Sequence, residues 1–212
     1  MNQQKIFNFK IKQNFDNDDF FVSKSNELAH KFLLNLSKPE KYIHLKGPLK
    51  SGKTHLGLLW KRIHNAIVFN YNNYDQIMSQ KKNVFIDNFT YGIDEEKLFY
   101  LINHCYNNNL KILITSELSL LDYQFKLNDL LSRLKLFYFI EILNPDDELI
   151  INLLVKLLYD RLIKINNHEI FSFIFKRTNR TYLDIYNFVD NVDKLSLSQK
   201  RQITIPLIKE LL

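Results

Sequence analysis

Residues 47–54 read Gly-Pro-Leu-Lys-Ser-Gly-Lys-Thr, the full spacing of a phosphate-binding loop, G-x-x-x-x-G-K-[ST]. The spacing follows from the chemistry. Gly47 and Gly52 let the backbone bend so that successive N–H groups point at one phosphate. Lys53 then reaches the outer phosphates of a nucleotide, and the Thr54 hydroxyl takes a place on Mg²⁺. A helix that starts here adds the positive end of its dipole. The chain has four glycines in all, and two of them stand at the motif positions. The competing reading is an ordinary surface turn between a strand and a helix.

Other residues with chemical potential lie further along. Asp87 ends the apolar run Asn83-Val84-Phe85-Ile86-Asp87, which places a carboxylate beside the loop, where it can hold Mg²⁺ through water. Capping of the next turn is the plainer alternative. The following residue is Asn88, where a hydrolase of this class usually carries a second acid, and an amide cannot act as a base near neutral pH. The expectation is nucleotide binding with weak or absent autonomous turnover. Thr115-Ser116 ends another strand-like run, where a hydroxyl would face the γ-phosphate or simply begin a loop. Arg133 lies in Leu131-Ser132-Arg133-Leu134, either as a surface ion-pair residue or as a cation offered to a neighbour's nucleotide. Lys176, Arg177 and Arg180 form a basic group near the C-terminus, either solvated or in contact with phosphate. The N-terminal stretch Gln3-Gln4-Lys5-Ile6-Phe7-Asn8-Phe9 has the form of a short peptide that docks in an apolar groove, with Gln4, Phe7 and Phe9 at one spacing. A first strand or a staple on the core is the alternative.

The elements that must position these groups alternate. Residues 41–45, 66–69, 83–87, 111–115 and 137–142 are β-prone, the second of them as a buried strand. Helical stripes fall at Leu28, Ala29, Phe32, Leu33 and Leu36, at Leu56, Leu59, Trp60 and Ile63, and over 71–80, 94–107 and 127–134. Strands alternating with helices imply a parallel sheet covered on both faces. The pattern changes at Asn144, an N-cap candidate followed by Pro145 and the acidic Asp146, Asp147 and Glu148. Leu149, Leu153, Leu154, Leu157, Leu158 and Leu162 then form one helical face, with further helices at about 167–176, 180–194 and 205–211. The expected organisation is an arm over 1–14, an α/β nucleotide-binding domain over 15–143 and a helical lid over 144–212.

Composition narrows the classes. The chain has 212 residues, 46% hydrophobic and 25% charged, ordinary for a globular protein. No apolar run approaches a membrane span, and no signal-peptide pattern opens the chain, so no membrane role and a cytoplasmic location are expected. The one cysteine, Cys105, excludes an internal disulfide and a cysteine metal cluster. It falls on the stripe Leu98, Leu101, Ile102 and is expected in the core. The net charge of +6 is spread without a block of like charges, so a solvated lysine surface is preferred over nucleic-acid binding.

Several stretches together resemble the AAA+ module of the bacterial replication initiator DnaA. They are Asp19-Phe20-Phe21-Val22, Ser25-Asn26-Glu27-Leu28-Ala29, Gly-Pro-x-x-Ser-Gly-Lys-Thr-His-Leu, Ile86-Asp87-Asn88 and Leu130-Leu131-Ser132-Arg133-Leu134. The ending, Leu197 to Leu212, closes where DnaA would continue into a DNA-binding domain. With the Asp-Asn pair and the glutamine-led arm, this is similar to the Hda family of DnaA-related regulators. The resemblance implies an AAA+ P-loop core with a five-stranded parallel sheet and a small all-α lid. It also implies ADP or ATP with Mg²⁺ as ligands. Gly47, Ser51, Gly52, Lys53 and Thr54 would hold phosphate, Thr54 and Asp87 the metal. Phe21, Val22 and Asn26 would lie near adenine. Arg133 would be an arginine finger acting in trans. Gln4, Phe7 and Phe9 would bind the DNA polymerase III β sliding clamp, although the arm departs from the usual Gln-Leu-x-Leu-Pro-Leu. The lid's sensor position aligns with Leu183, and Arg180 stands one turn earlier as the nucleotide-facing cation. The implied partners are DnaA and the clamp, with a homodimer left open and DNA met only indirectly. The implied activity is stimulation of ATP hydrolysis by DnaA. A self-sufficient P-loop NTPase acting as a small loader or remodeller is the alternative.

Overall fold

The computed structural model describes residues 20–35, 37, 40–90, 92, 94–163 and 169–211. The arm residues Gln4, Phe7 and Phe9, the stripe residue Leu36 and the motif residue Asp19 lie outside these. The chain divides at Asn144 and Pro145 into two compact units.

The first unit is a five-stranded sheet in the order β2-β3-β4-β1-β5, formed by β1 (Tyr42–Lys46), β2 (Ile67–Val68), β3 (Val84–Phe89), β4 (Ile112–Ser116) and β5 (Tyr138–Glu141). Every neighbouring pair is parallel. Parallel strands need crossovers, and these are α2 (Lys53–His64), α3 (Tyr74–Ser79), α4 (Glu95–Asn107) and α5 (Asn128–Leu134), with α1 (Glu27–Leu33) leading into the sheet. Position explains composition. The central strand β4, Ile-Leu-Ile-Thr-Ser, is buried at all five residues. Asp94 caps α4 by accepting from the Lys97 amide, and Glu95 and Glu96 fill its first turn.

Gly57 sets how closely α2 lies on the sheet. A β-carbon there would stand 2.0 Å from Phe85 Cζ, so only glycine admits the Phe85 ring. The core between sheet and helices includes Val84, Ile86, Leu98, Leu101, Ile112 and Ile114, with Cys105 fully buried among them. Burial raises the Cys105 thiol to about 12, so it is inert packing, as its stripe predicted.

Several expectations need correction. Residues 66–69 are not a buried strand: β2 is a two-residue, half-buried strand at the sheet edge, where only β3 covers it. In α1, Leu28 is 77% exposed, while Ala29 and Leu33 face inward. In α2, Ile63 is exposed, because the core stripe closes with Leu59 and Trp60. β3 runs two residues past Asp87 through a bulge at Asn88, whose φ is 52°.

Among the described residues the second unit holds four helices, α6 (Asp147–Asp160), α7 (Glu169–Phe175), α8 (Tyr182–Gln199) and α9 (Ile205–Lys209). The N-cap of α6 is Asp146, which accepts from the Leu149 amide, and Asn144 and Pro145 precede it. An aspartate one residue before the first turn outcompetes the asparagine two residues earlier. Leu162 is 87% exposed in a left-handed turn past the end of α6, so it leaves the leucine face. Thr181 and Thr204 cap α8 and α9. The core gathers Ile150, Leu154, Leu158, Ile185, Val189 and Leu207. Arg161 bridges α6 and α8 by pairing with Asp190 and Asp193 while donating to Leu157 O at 2.9 Å. Among the described residues no helix is long and apolar enough to cross a membrane.

Candidate nucleotide site

The phosphate loop follows β1 directly and opens α2, so it sits at the edge where the strands end. Gly47 donates its N–H to Ser116 O at 3.1 Å, which ties the loop to the end of β4. A β-carbon at Gly47 would stand 2.8 Å from Ser51 Oγ and 3.0 Å from Ile142 Cβ. Gly52 has φ +90°, a left-handed conformation that favours glycine. Gly52 is thus required by its backbone conformation, and Gly47 by the close approach of Ser51 and Ile142.

Lys53 is 8% exposed, and its ammonium donates to Gly47 O at 2.8 Å and Pro48 O at 2.7 Å. Burial lowers its pKa, against the carboxylates of Glu117 and Asp87, which raise it. A buried ammonium held only by neutral carbonyls gains strongly from an anion. Ser51 Oγ is buried without a hydrogen-bond partner, a polar atom of the kind a phosphate oxygen satisfies. Thr54 Oγ1 donates to Asp87 Oδ2 at 2.8 Å, and Thr115 Oγ1 donates to Asp87 Oδ1 at 2.6 Å. Thr115 Oγ1 in turn accepts from the Asn88 N–H at 2.9 Å. The hydroxyl and carboxylate expected to serve Mg²⁺ are thus already adjacent, and the whole set fits a magnesium–polyphosphate.

The segment after Asp19 adjoins the loop. A β-carbon on Gly52 would stand 2.8 Å from Phe20 Cε2, and Phe20 packs on His30 and His55. Phe21 and Val22 are exposed there, open to a flat ring. Asn26 differs: it is 3% exposed, donates to Phe21 O at 2.9 Å and accepts from the Ser23 N–H at 2.8 Å. It braces the Phe21–Ser23 backbone.

Arg133 lies elsewhere. It ends α5, just before β5 begins, and β5 runs parallel to β1. Its guanidinium stands 5.1 Å over the Tyr106 ring, and Tyr106 stacks on Tyr42, the first residue of β1. Arg133 is therefore at the edge where strands start, and the phosphate loop at the edge where they end. Five residues of β1 separate the two levels, about 16 Å at 3.3 Å per residue. In the helical unit, Arg180 pairs with Asp147 at 3.3 Å and stands 4.6 Å over Phe175, and Arg177 stands 3.9 Å over Phe173.

Three features escaped the sequence reading. Glu117 follows Ser116 at the end of β4 and is exposed, and of the two carboxylates that raise the Lys53 pKa it has the larger effect. A carboxylate one residue past a strand-ending Thr-Ser was the signal for it. Phe20 seats against Gly52. His44 is buried in β1, 2.7 Å from Ser116 Oγ, and Ser116 Oγ donates onward to Leu118 O. Ser116 has one proton, so His44 is the donor through Nε2–H. A polar residue inside an apolar strand was the signal for His44.

Residues 147–212 match the family model described as "Hda, lid domain". Domain III of DnaA from Thermotoga maritima superposes with a TM-score of 0.75 at 16% identity, covering 93% of this chain and 95% of that one. The chain has the fold of DnaA domain III, and its residues 147–212 are similar to the Hda lid domain. AMPPCP-bound DnaA from Aquifex aeolicus has a TM-score of 0.65 at 16% identity, and the match covers 86% of this chain and 65% of that one. The chain thus spans about two thirds of that DnaA. The RuvB Holliday-junction branch migration motor of Thermotoga maritima shares the fold, with a TM-score of 0.67 at 14% identity over 95% of this chain and 72% of that one. No curated protein matches the chain. The five-stranded parallel sheet and the following helical unit agree with the AAA+ core and lid expected from the sequence.

Proposed function

We propose that this chain binds ADP or ATP with Mg²⁺ and acts as an Hda-like regulator, which meets ATP-loaded DnaA and stimulates its hydrolysis. The position of Arg133 supports this reading. Arg133 stands at the opposite end of the strands from its own phosphate loop, about 16 Å along β1, and so is placed to serve a nucleotide held by another subunit. Cations presented this way stabilise the charge of phosphoryl-transfer transition states. Gly47, Ser51, Gly52, Lys53 and Thr54 hold the chain's own nucleotide, Thr54 and Asp87 its metal, and Phe21 and Val22 the base, with Asn26 shaping that strip. Arg180 is the lid's cation toward phosphate. Gln4, Phe7 and Phe9 attach the chain to the β sliding clamp. The place of action is the cytoplasm.

The test is purified protein added to ATP-loaded DnaA with clamp and duplex DNA. The reading expects faster release of phosphate, and loss of that acceleration on deleting residues 1–10 while nucleotide binding persists. Equal acceleration from the shortened protein would remove the clamp step. Glu117 favours a second reading, a self-sufficient NTPase. Its carboxylate stands at the end of β4, beside Lys53, where Asn88 supplies none. Steady hydrolysis by the isolated chain that is abolished by Glu117→Gln would establish that alternative.

A further inference from the structure

Several lysines scattered through the sequence of the first unit converge in space. All five strands run parallel, so the residue before each strand lies on one edge. Lys41 directly precedes β1, Lys111 directly precedes β4, and Lys81 and Lys82 precede Asn83 at the start of β3. Lys61 and Arg62 end α2, just before β2. Hydrogen bonds stitch this edge together. Asn83 Nδ2 donates to His64 O at 2.7 Å, and Asn83 Oδ1 accepts from the Lys111 N–H at 2.7 Å. The Ile112 N–H donates to Lys41 O at 2.7 Å, and the Lys41 ammonium bonds Asn109. Lys81 and Lys82 are exposed, and Lys41, Lys61 and Lys111 are half-buried. Among the described residues, Glu40 is the carboxylate next to this row.

Four strand positions at about 4.8 Å spacing spread these cations over about 14 Å. Duplex DNA presents one charge per about 1.7 Å of axis, so a row of this length faces several phosphates at once. Lysines on flexible stems suit a regular polyanion met without base readout. The His64 ring senses the field: burial lowers its pKa first, and the Lys111 charge lowers it further. Lysines after a helix also complement its dipole, and this accounts for Lys61 and Arg62 at the end of α2. It applies also to Lys81 and Lys82, just past the end of α3, but it does not account for Lys41 and Lys111, which directly precede β1 and β4.

We propose that this strand-start edge binds the phosphate backbone of duplex DNA directly and without sequence preference. The row shares the strand-start edge with Arg133, so DNA and the neighbour of the regulatory reading meet the same side of the chain; the inference rests on the lysines alone and replaces the expectation that DNA is met only indirectly. The phosphate loop lies at the opposite edge, so nucleotide and DNA bind together without competing.

The experiment is fluorescence anisotropy of the full chain with a labelled duplex of about 20 base pairs across a salt series. The edge variant is Lys61→Gln/Lys81→Gln/Lys82→Gln. The control is Lys31→Gln/Lys97→Gln/Lys126→Gln, on α1, in the first turn of α4 and in the loop before α5. The wild type is expected to bind with affinity falling steeply in salt. The edge variant should lower the log–log salt slope by about 2 to 3 units, and the control should leave it nearly unchanged. Replacing the same three edge lysines by arginine should restore the slope, which a folding defect would not do. Equal losses from edge and control variants would overturn the proposal, as would an unchanged slope in the edge variant. Displacement of the duplex by polyglutamate at equal charge would also overturn it, and would assign the edge to an acidic protein surface.

Discussion

His44 gives a pH dependence that can be worked from the structure. It sits in β1 at 3% exposure and donates to Ser116, whose carbonyl holds Gly47 and whose hydroxyl holds Leu118. Burial, helped by the Lys46 charge, lowers its pKa from 6.5 to about 4. The unfolded chain keeps the ordinary value, so between those limits it binds more protons than the folded one. Stability is full above 6.5 and falls as pH falls toward 4. Linkage makes the loss about 2 kcal/mol by pH 5 and about 3 kcal/mol by pH 4. The matching variant is His44→Gln, which keeps a donor toward Ser116 and does not titrate. The assay is urea denaturation of both proteins at pH 7.5 and pH 5. The wild type should lose about 2 kcal/mol more than the variant between the two values. Equal losses would refute the reasoning, since other groups would then carry the pH dependence.

Lys53→Ala should weaken adenine-nucleotide binding at least tenfold, about 1.4 kcal/mol, with the melting curve retained, as read by titration calorimetry. Gly57→Ala should destabilise the first unit by about 1–3 kcal/mol, because the new carbon collides with the Phe85 ring; chemical denaturation checks it. Cys105 should resist a thiol reagent in the native protein and react at once after unfolding, as absorbance of the released thiolate would show.

Much of the fold was legible because its signals are local. The loop spacing located the site, and the apolar runs located all five strands to within two residues. The failures share one cause, that burial depends on neighbours. Ile67-Val68 has the composition of an inner strand but lies where the sheet ends. Leu28 and Leu162 fit helical stripes that the core does not extend to meet. The site shows the same division. Lys53, Thr54 and Asp87 were readable from type and spacing, and the structure joins Thr54 to Asp87. Glu117, Phe20 and His44 enter through contacts between β4, the α1 entry segment and β1, which no single window of sequence contains. The lysine row is the plainest case: dispersed in sequence, it became an edge only when the strands aligned.

The central claim is that Arg133 completes another subunit's site. Its most direct test compares wild-type and Arg133→Ala proteins in ATP hydrolysis by DnaA, with clamp and DNA present. The account predicts that the variant folds, binds nucleotide as the wild type does, and loses the stimulation by a factor on the order of a hundred or more. Undiminished stimulation by the variant would contradict it.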